Sequence, residues 1–140
     1  MGLCLDTVGR YYILYCNQVF TSYMIETILG VVPSKSNSYR IAGRFIYKTK
    51  ALKDYEQSFI DQCIKYKNAN IEGNLRITLR AYYPNRKSDL DGVTKAVLDL
   101  LQKVNAFEND NKVAELFLFK GLDKDNPRIE FNIETVDYII

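Results

Sequence analysis

The 140-residue sequence contains no histidine and no tryptophan, and only three cysteines and three prolines. The missing histidine excludes Ser/His/Asp and Cys/His nucleophilic systems. With no CxxC pair present either, the usual zinc sites are not expected. Cys4, Cys16 and Cys63 are too few and too unevenly spaced for a disulfide framework, so reduced thiols in a cytoplasmic protein are the simplest account. Long apolar runs are lacking as well. Tyr11 to Phe20 is interrupted by Asn17 and Gln18, too short and too polar to span a bilayer, and it has no charged leader or small-residue cleavage site. Met1-Gly2 is followed by Asp6 where myristoylation wants Ser or Thr. No targeting signal and no membrane contact are expected.

What is present is the balance of an ordinary folded domain. Hydrophobic residues are 47% and charged residues 26%, enough for one core and not two at this length. The net charge of +2 points to no partner, but its distribution is uneven. Pro33 to Lys53 carries Lys35, Arg40, Arg44, Lys48, Lys50 and Lys53 and no acid, whereas the last twenty residues are acidic. So clean a basic stretch can follow a phosphate backbone, and it can equally be a solvated loop and helix entry.

Periodicity predicts an α+β fold: a single mixed β-sheet with two main helices packed on it. Ile25 to Val32 is β-branched and stops at Pro33, as a strand entering a loop does. Tyr39 to Lys48 suits a hairpin around Gly43. Leu52, Tyr55, Phe59, Ile60 and Cys63 share one helical face, and Val93, Ala96, Val97, Leu100, Leu101 and Val104 share another. Leu75, Ile77, Leu79 and Ala81 alternate with Arg76, Thr78, Arg80 and Tyr82, a half-buried strand with a basic outer face. Val113 to Phe119 is apolar on both faces apart from Glu115, as a central strand would be, and Ile129, Phe131 and Ile133 alternate in a last strand. Residues 1–23 have no clear period and are expected to be an extension or an added strand, ahead of a domain over 24–140.

With histidine absent, carboxylates are the candidates for chemistry. Asp89 and Asp91 stand two apart where a strand gives way to a helix, so in extended backbone both face one spot. Lys95 follows one helical turn later, and Asp110 lies in the polar turn Glu108-Asn-Asp-Asn111. Two or three carboxylates plus substrate phosphate suit magnesium, a hard cation that keeps several waters. A structural reading stands beside this one. Ser88 and Asp91 fit an acidic capping box, Asp110 is a good turn residue, and Lys95 can pair with Asp91 or Asp99.

The run Asp89-Leu-Asp-Gly-Val-Thr-Lys95-Ala-Val-Leu-Asp99, then Asn109-Asp110-Asn-Lys-Val113, then Lys120, resembles the RusA family of Holliday-junction resolvases. Pro33-Ser-Lys-Ser-Asn37-Ser-Tyr39 is similar to that family's PPS-x-N-x-x-Y loop. The resemblance implies an endodeoxyribonuclease that cuts four-way DNA junctions as a homodimer with Mg2+ or Mn2+, encoded by a bacterium or phage. It implies Asp89, Asp91 and Asp110 as metal ligands and Lys95 as the catalytic lysine. It also implies DNA contacts from Arg86 and Lys87, from Lys35, Asn37 and Arg40, and from Lys120. Gly92 stands where the family has Asn, and Asn109 where it has the first Asp of a pair. These two departures motivate the alternative of a junction-binding protein with impaired catalysis.

Overall fold

The computed structural model describes residues 24–34 and 37–137. The predicted extension over residues 1–23 lies outside them, as does Lys35. The elements run β1 (Glu26–Leu29), β2 (Tyr39–Ala42), β3 (Phe45–Lys48), α1 (Lys50–Gln62), β4 (Asn74–Tyr83), α2 (Asp91–Lys103), a 3-10 turn (Asp110–Lys112), β5 (Val113–Leu122) and β6 (Arg128–Val136). A four-stranded mixed sheet in the order β1-β6-β4-β5 carries the fold, with β2 and β3 as a separate hairpin. The expected α+β architecture, a mixed sheet with two main helices, is what the structure has.

The alternation in β4 sets the layers. Leu75, Ile77, Leu79, Ala81 and Tyr83 are buried on its inner face. Against them pack Tyr55 and Phe59 of α1 and Val93, Val97, Leu100 and Leu101 of α2, the faces that helical spacing predicts. Each such side chain, fully buried, contributes roughly 1.5–3 kcal/mol. Phe131 of β6 stacks on Phe59 with ring centroids 6.0 Å apart. Thr49 caps α1 by accepting the Leu52 N–H at 3.2 Å. Beyond the other end of α1, the buried Glu26 carboxylate accepts the N–H groups of Ile64 and Lys65 at 3.0 and 2.6 Å, tying β1 to the helix exit.

One expectation needs correcting. Among the described residues β5 is an edge strand, paired with β4 alone, and not a central one. Its apolar run covers two unequal rows. Leu116 and Leu118 pack on the core, while Phe117 and Phe119 are half-exposed on the outer face. The outer face of β4 carries Arg76 and Arg80, as the alternation predicts, and both are engaged within the sheet. The Arg76 guanidinium binds Glu115 (Nε–Oε1 2.8 Å) and approaches Glu134 (3.7 Å), and Arg80 lies over the Phe119 ring.

Most consequential is the direction of β5. It runs parallel to β4, with Leu75 opposite Val113 and Tyr83 opposite Leu122. Parallel neighbours need a crossover, and α2 supplies it. The hairpin forms around Gly43 (φ 62°) as predicted, and it leaves Ile41, Phe45 and Ile46 69–76% exposed. No helix among the described residues is long and apolar enough to cross a membrane.

Two buried acids give the fold an alkaline limit. Burial, with Glu26 nearby, pushes the Cys63 thiol up to about 11, and burial raises the Tyr55 phenol well above its ordinary value. A raised native pKa means that the unfolded chain loses the proton first. Stability is then fully present below the unfolded pKa values, about 8.5 for Cys and about 10 for Tyr, and declines as pH rises beyond them. Urea midpoints should therefore hold to about pH 8 and fall from about pH 9 upward. The Tyr55 hydroxyl is buried without a hydrogen-bond partner among the described residues. Tyr55→Phe should thus raise stability at pH 7 by up to about 1 kcal/mol and flatten the decline above about pH 10. A clear loss of stability at pH 7 would show that the hydroxyl is satisfied.

Candidate metal and nucleic-acid site

Beyond Tyr83 the chain meets Pro84, which has no N–H to continue a ladder, and leaves the sheet. The segment from Pro84 to Leu90 then leads into α2. The capping box expected from Ser88 and Asp91 does not form. The N-cap residue is Leu90, in helical conformation (φ −68°, ψ −35°), with no side-chain hydrogen bond to the helix start. Asp89 and Asp91 are exposed, and neither carboxylate has a hydrogen-bond or ion-pair partner among the described residues. Anionic groups are favoured at a helix N-terminus by its dipole and free N–H groups.

Both carboxylates line one cleft of about 800 Å³. Its other wall is Val31 to Ser34 together with Asn37, and Lys87 and Tyr83 also border it. The Tyr83 phenol is held above its ordinary pKa, first by burial and then by the charges of Asp89 and Asp91. Two neighbouring acids with hard oxygen donors and no partner among the described residues fit a magnesium ion, which commonly takes one or two carboxylates plus substrate phosphates.

Lys95 sits one turn into α2 and lines a second groove that runs along the helix past Asp91, Asp99 and Gln102. Its ammonium lies 3.4 Å from Asp99 Oδ2, an exposed i,i+4 pair of little energetic weight. Asp110 is elsewhere. Its backbone N–H donates to Gln102 Oε1 at 3.2 Å, near the end of α2 opposite Asp91. The length of α2 between Asp91 and Gln102 is roughly 16 Å at about 1.5 Å per residue. The parallel sheet gives the same answer, because Asp110 precedes β5 beside the start of β4 while Asp89 follows the end of β4. No group of three or more acids and cysteines able to hold a metal exists among the described residues.

The residues expected to contact DNA divide. Asn37 borders the carboxylate cleft, with its N–H bonded to the Ser34 carbonyl at 2.9 Å and its own carbonyl accepting from Thr49 Oγ1 at 2.6 Å. Arg40 lines a neighbouring hollow that Asn37 also borders. Arg86 and Lys87 are exposed on the loop before Asp89. Lys120 is exposed, and its ammonium donates to the carbonyls of Arg86 and Ser88. Sequence reading missed Tyr83 as a border of the site, although its place in the alternating row Leu75 to Ala81 was a usable signal. Asn109 caps the 3-10 turn, its side chain accepting the Asn111 N–H at 3.0 Å.

Residues 29–134 match the family model described as Endodeoxyribonuclease RusA. The chain is also similar to the Crossover junction endodeoxyribonuclease RusA of Aquifex aeolicus (strain VF5), 29% identical over 104 residues, covering 71% of this chain and 82% of that protein. With three quarters of its length inside the family match, and the motif carboxylates side by side in one cleft, the chain belongs to the RusA endodeoxyribonuclease family.

Proposed function

We propose that the protein is a magnesium-dependent, structure-selective endodeoxyribonuclease that resolves four-way DNA junctions in the cytoplasm of a bacterium or phage-infected cell. Paired nicks would leave 5′-phosphate and 3′-hydroxyl ends, and manganese would substitute for magnesium. The observation that carries this reading is the pair Asp89 and Asp91, two carboxylates without partners among the described residues, in a cleft bordered by Pro33, Ser34 and Asn37.

Asp89 and Asp91 would hold the metal, which when bound supplies Lewis-acid charge for water activation and for the leaving oxygen. Lys95, one turn along α2, would exchange its weak contact with Asp99 for a substrate phosphate oxygen as charge builds there. Asn37, Arg86 and Lys87 would fix the strand by its backbone, and Arg40 would extend that track.

Two symmetric cuts require two sites related by a two-fold axis, which is the physical ground for a homodimer. The same axis offers a place for Asp110. Within one chain it lies at the far end of α2 from Asp91. Two α2 helices packed antiparallel across a two-fold would set the start of one beside the end of the other. Each site would then take Asp89 and Asp91 from one protomer and Asp110 from the partner subunit.

On a synthetic four-way junction with magnesium, Asp89→Asn, Asp91→Asn and Asp110→Asn should each lower nicking by roughly 100-fold or more while junction binding persists. Wild-type nicking by Asp91→Asn would sink the metal-site assignment. Junction binding without product from the wild type at any metal concentration would favour the impaired junction-binding protein instead. Mixing Asp91→Asn with Asp110→Asn discriminates how the site is assembled. A site shared between protomers leaves one intact centre in each mixed dimer and restores single-strand nicking. Sites built within one chain leave both centres damaged, and the mixture stays inactive.

A further inference from the structure

Lys120 lies on the row of β5 that faces the helices, in line with Leu116 and Leu118, which pack on the core. Near this end of the strand Lys120 stands opposite Ala81, and its ammonium lies 5.7 Å from the centroid of the Tyr83 ring. From there Nζ donates to the Arg86 carbonyl at 3.3 Å and to the Ser88 carbonyl. An ammonium has three donors, so two are committed to the backbone of the loop that delivers Asp89.

That loop has few other anchors. It follows the end of β4, so its carbonyls have no ladder partner. The start of α2 has no side-chain cap. Within the segment Lys87 N–H donates to Asn85 Oδ1 at 2.9 Å, and Leu90 accepts from Val93 N–H at 3.3 Å. Among the described residues the hydrogen bonds that cross from this loop to another strand are those of Lys120. Its fixed end is β5, held to β4 along the full parallel register.

We propose that Lys120 is a positioning residue that pins the Arg86–Ser88 backbone to the edge of the sheet, and so sets where Asp89 stands, and that it is not a contact to DNA phosphate. The effect on cleavage rests on the nuclease reading above, whereas the pin itself does not. The resemblance of the sequence to its family implied the opposite role, a cation on the DNA track. A pin acts on metal use and turnover, and a phosphate contact acts on affinity and its salt dependence.

Lys120→Met keeps the aliphatic stem beside Tyr83 and removes the donors, and Lys120→Arg keeps donors at similar reach. Three measurements on the full chain separate the roles: amide hydrogen exchange across residues 85–91, the magnesium concentration for half-maximal nicking, and junction affinity against salt. In Lys120→Met we expect exchange in this segment to rise about 10-fold, and loosening the backbone that delivers Asp89 should cost roughly 10- to 100-fold in metal use or turnover. The salt slope of junction binding should stay at its wild-type value, because no phosphate contact is removed, and Lys120→Arg should recover part of both losses. The proposal is overturned if the loop exchanges as in the wild type while the salt slope falls by about one, the signature of a lost phosphate contact. If the wild type nicks no branched DNA, the nuclease reading fails, yet faster loop exchange in Lys120→Met still upholds the pin. Unchanged exchange in a wild-type background that does nick refutes the pin and leaves the nuclease reading standing.

Discussion

The parallel pairing of β4 with β5 organises everything else in the molecule. Two parallel neighbours cannot be joined by a tight turn, so α2 must cross the sheet face and return the chain to the starting end. That crossover creates the junction of strand end and helix start where Asp89 and Asp91 stand, and it sends Asp110 to the opposite end. The same register carries Lys120 along β5 to the level of Ala81, two residues before the chain leaves the sheet. Antiparallel pairing would have placed Asp110 beside Asp89 and taken Lys120 away from it. One choice of strand direction thus separates Asp110 from Asp89 and Asp91 and brings the lysine in.

Electrostatics explains why this end of the sheet is open for chemistry. A helix start with uncommitted N–H groups and no side-chain cap keeps its positive potential available. Several charges elsewhere are neutralised locally. Arg76 meets Glu115 and Glu134, Arg128 meets Asp123 and Glu130, and Lys48 meets Glu56. Asp89 and Asp91 are left out of that pairing, and their charge is felt by the buried Tyr83 hydroxyl behind them. Two neighbouring like charges without a counter-ion among the described residues repel each other, and a bound divalent cation would relieve that repulsion.

Both helices were legible in the sequence because their apolar spacing is long and regular, and β4 because its alternation is strict. The identity of the neighbours was not. The run from Val113 to Phe119 reads as a central strand, since a bare apolar pattern does not distinguish burial by a sheet neighbour from side chains half-covered by Arg80 and other groups on one outer face. Spacing also suggested a capping box at Ser88 and Asp91. Ser88 is instead held through its carbonyl by Lys120, a contact 32 residues away in the chain that no local pattern can carry. The acids themselves were visible as an i, i+2 pair. Their lack of protein partners was not, because that depends on which basic residues the fold brings near.

The two departures from the family pattern carry unequal physical weight. Asn109 replaces an acid, yet its side-chain oxygen performs a capping task that Asn and Asp perform about equally well. The structure therefore gives that substitution a neutral account, and the neighbouring Asp110 is still present. Gly92 is different. It borders both the carboxylate cleft and the groove along α2, in the first turn of a helix that already lacks a side-chain cap. Glycine inside a helix costs roughly 0.5–1 kcal/mol relative to alanine. The start of α2 is thus the least restrained part of the proposed site, and it adjoins the loop that Lys120 holds. A site with a soft helix start depends more heavily on its remaining anchor, and this ties the Gly92 departure to the contact made from β5.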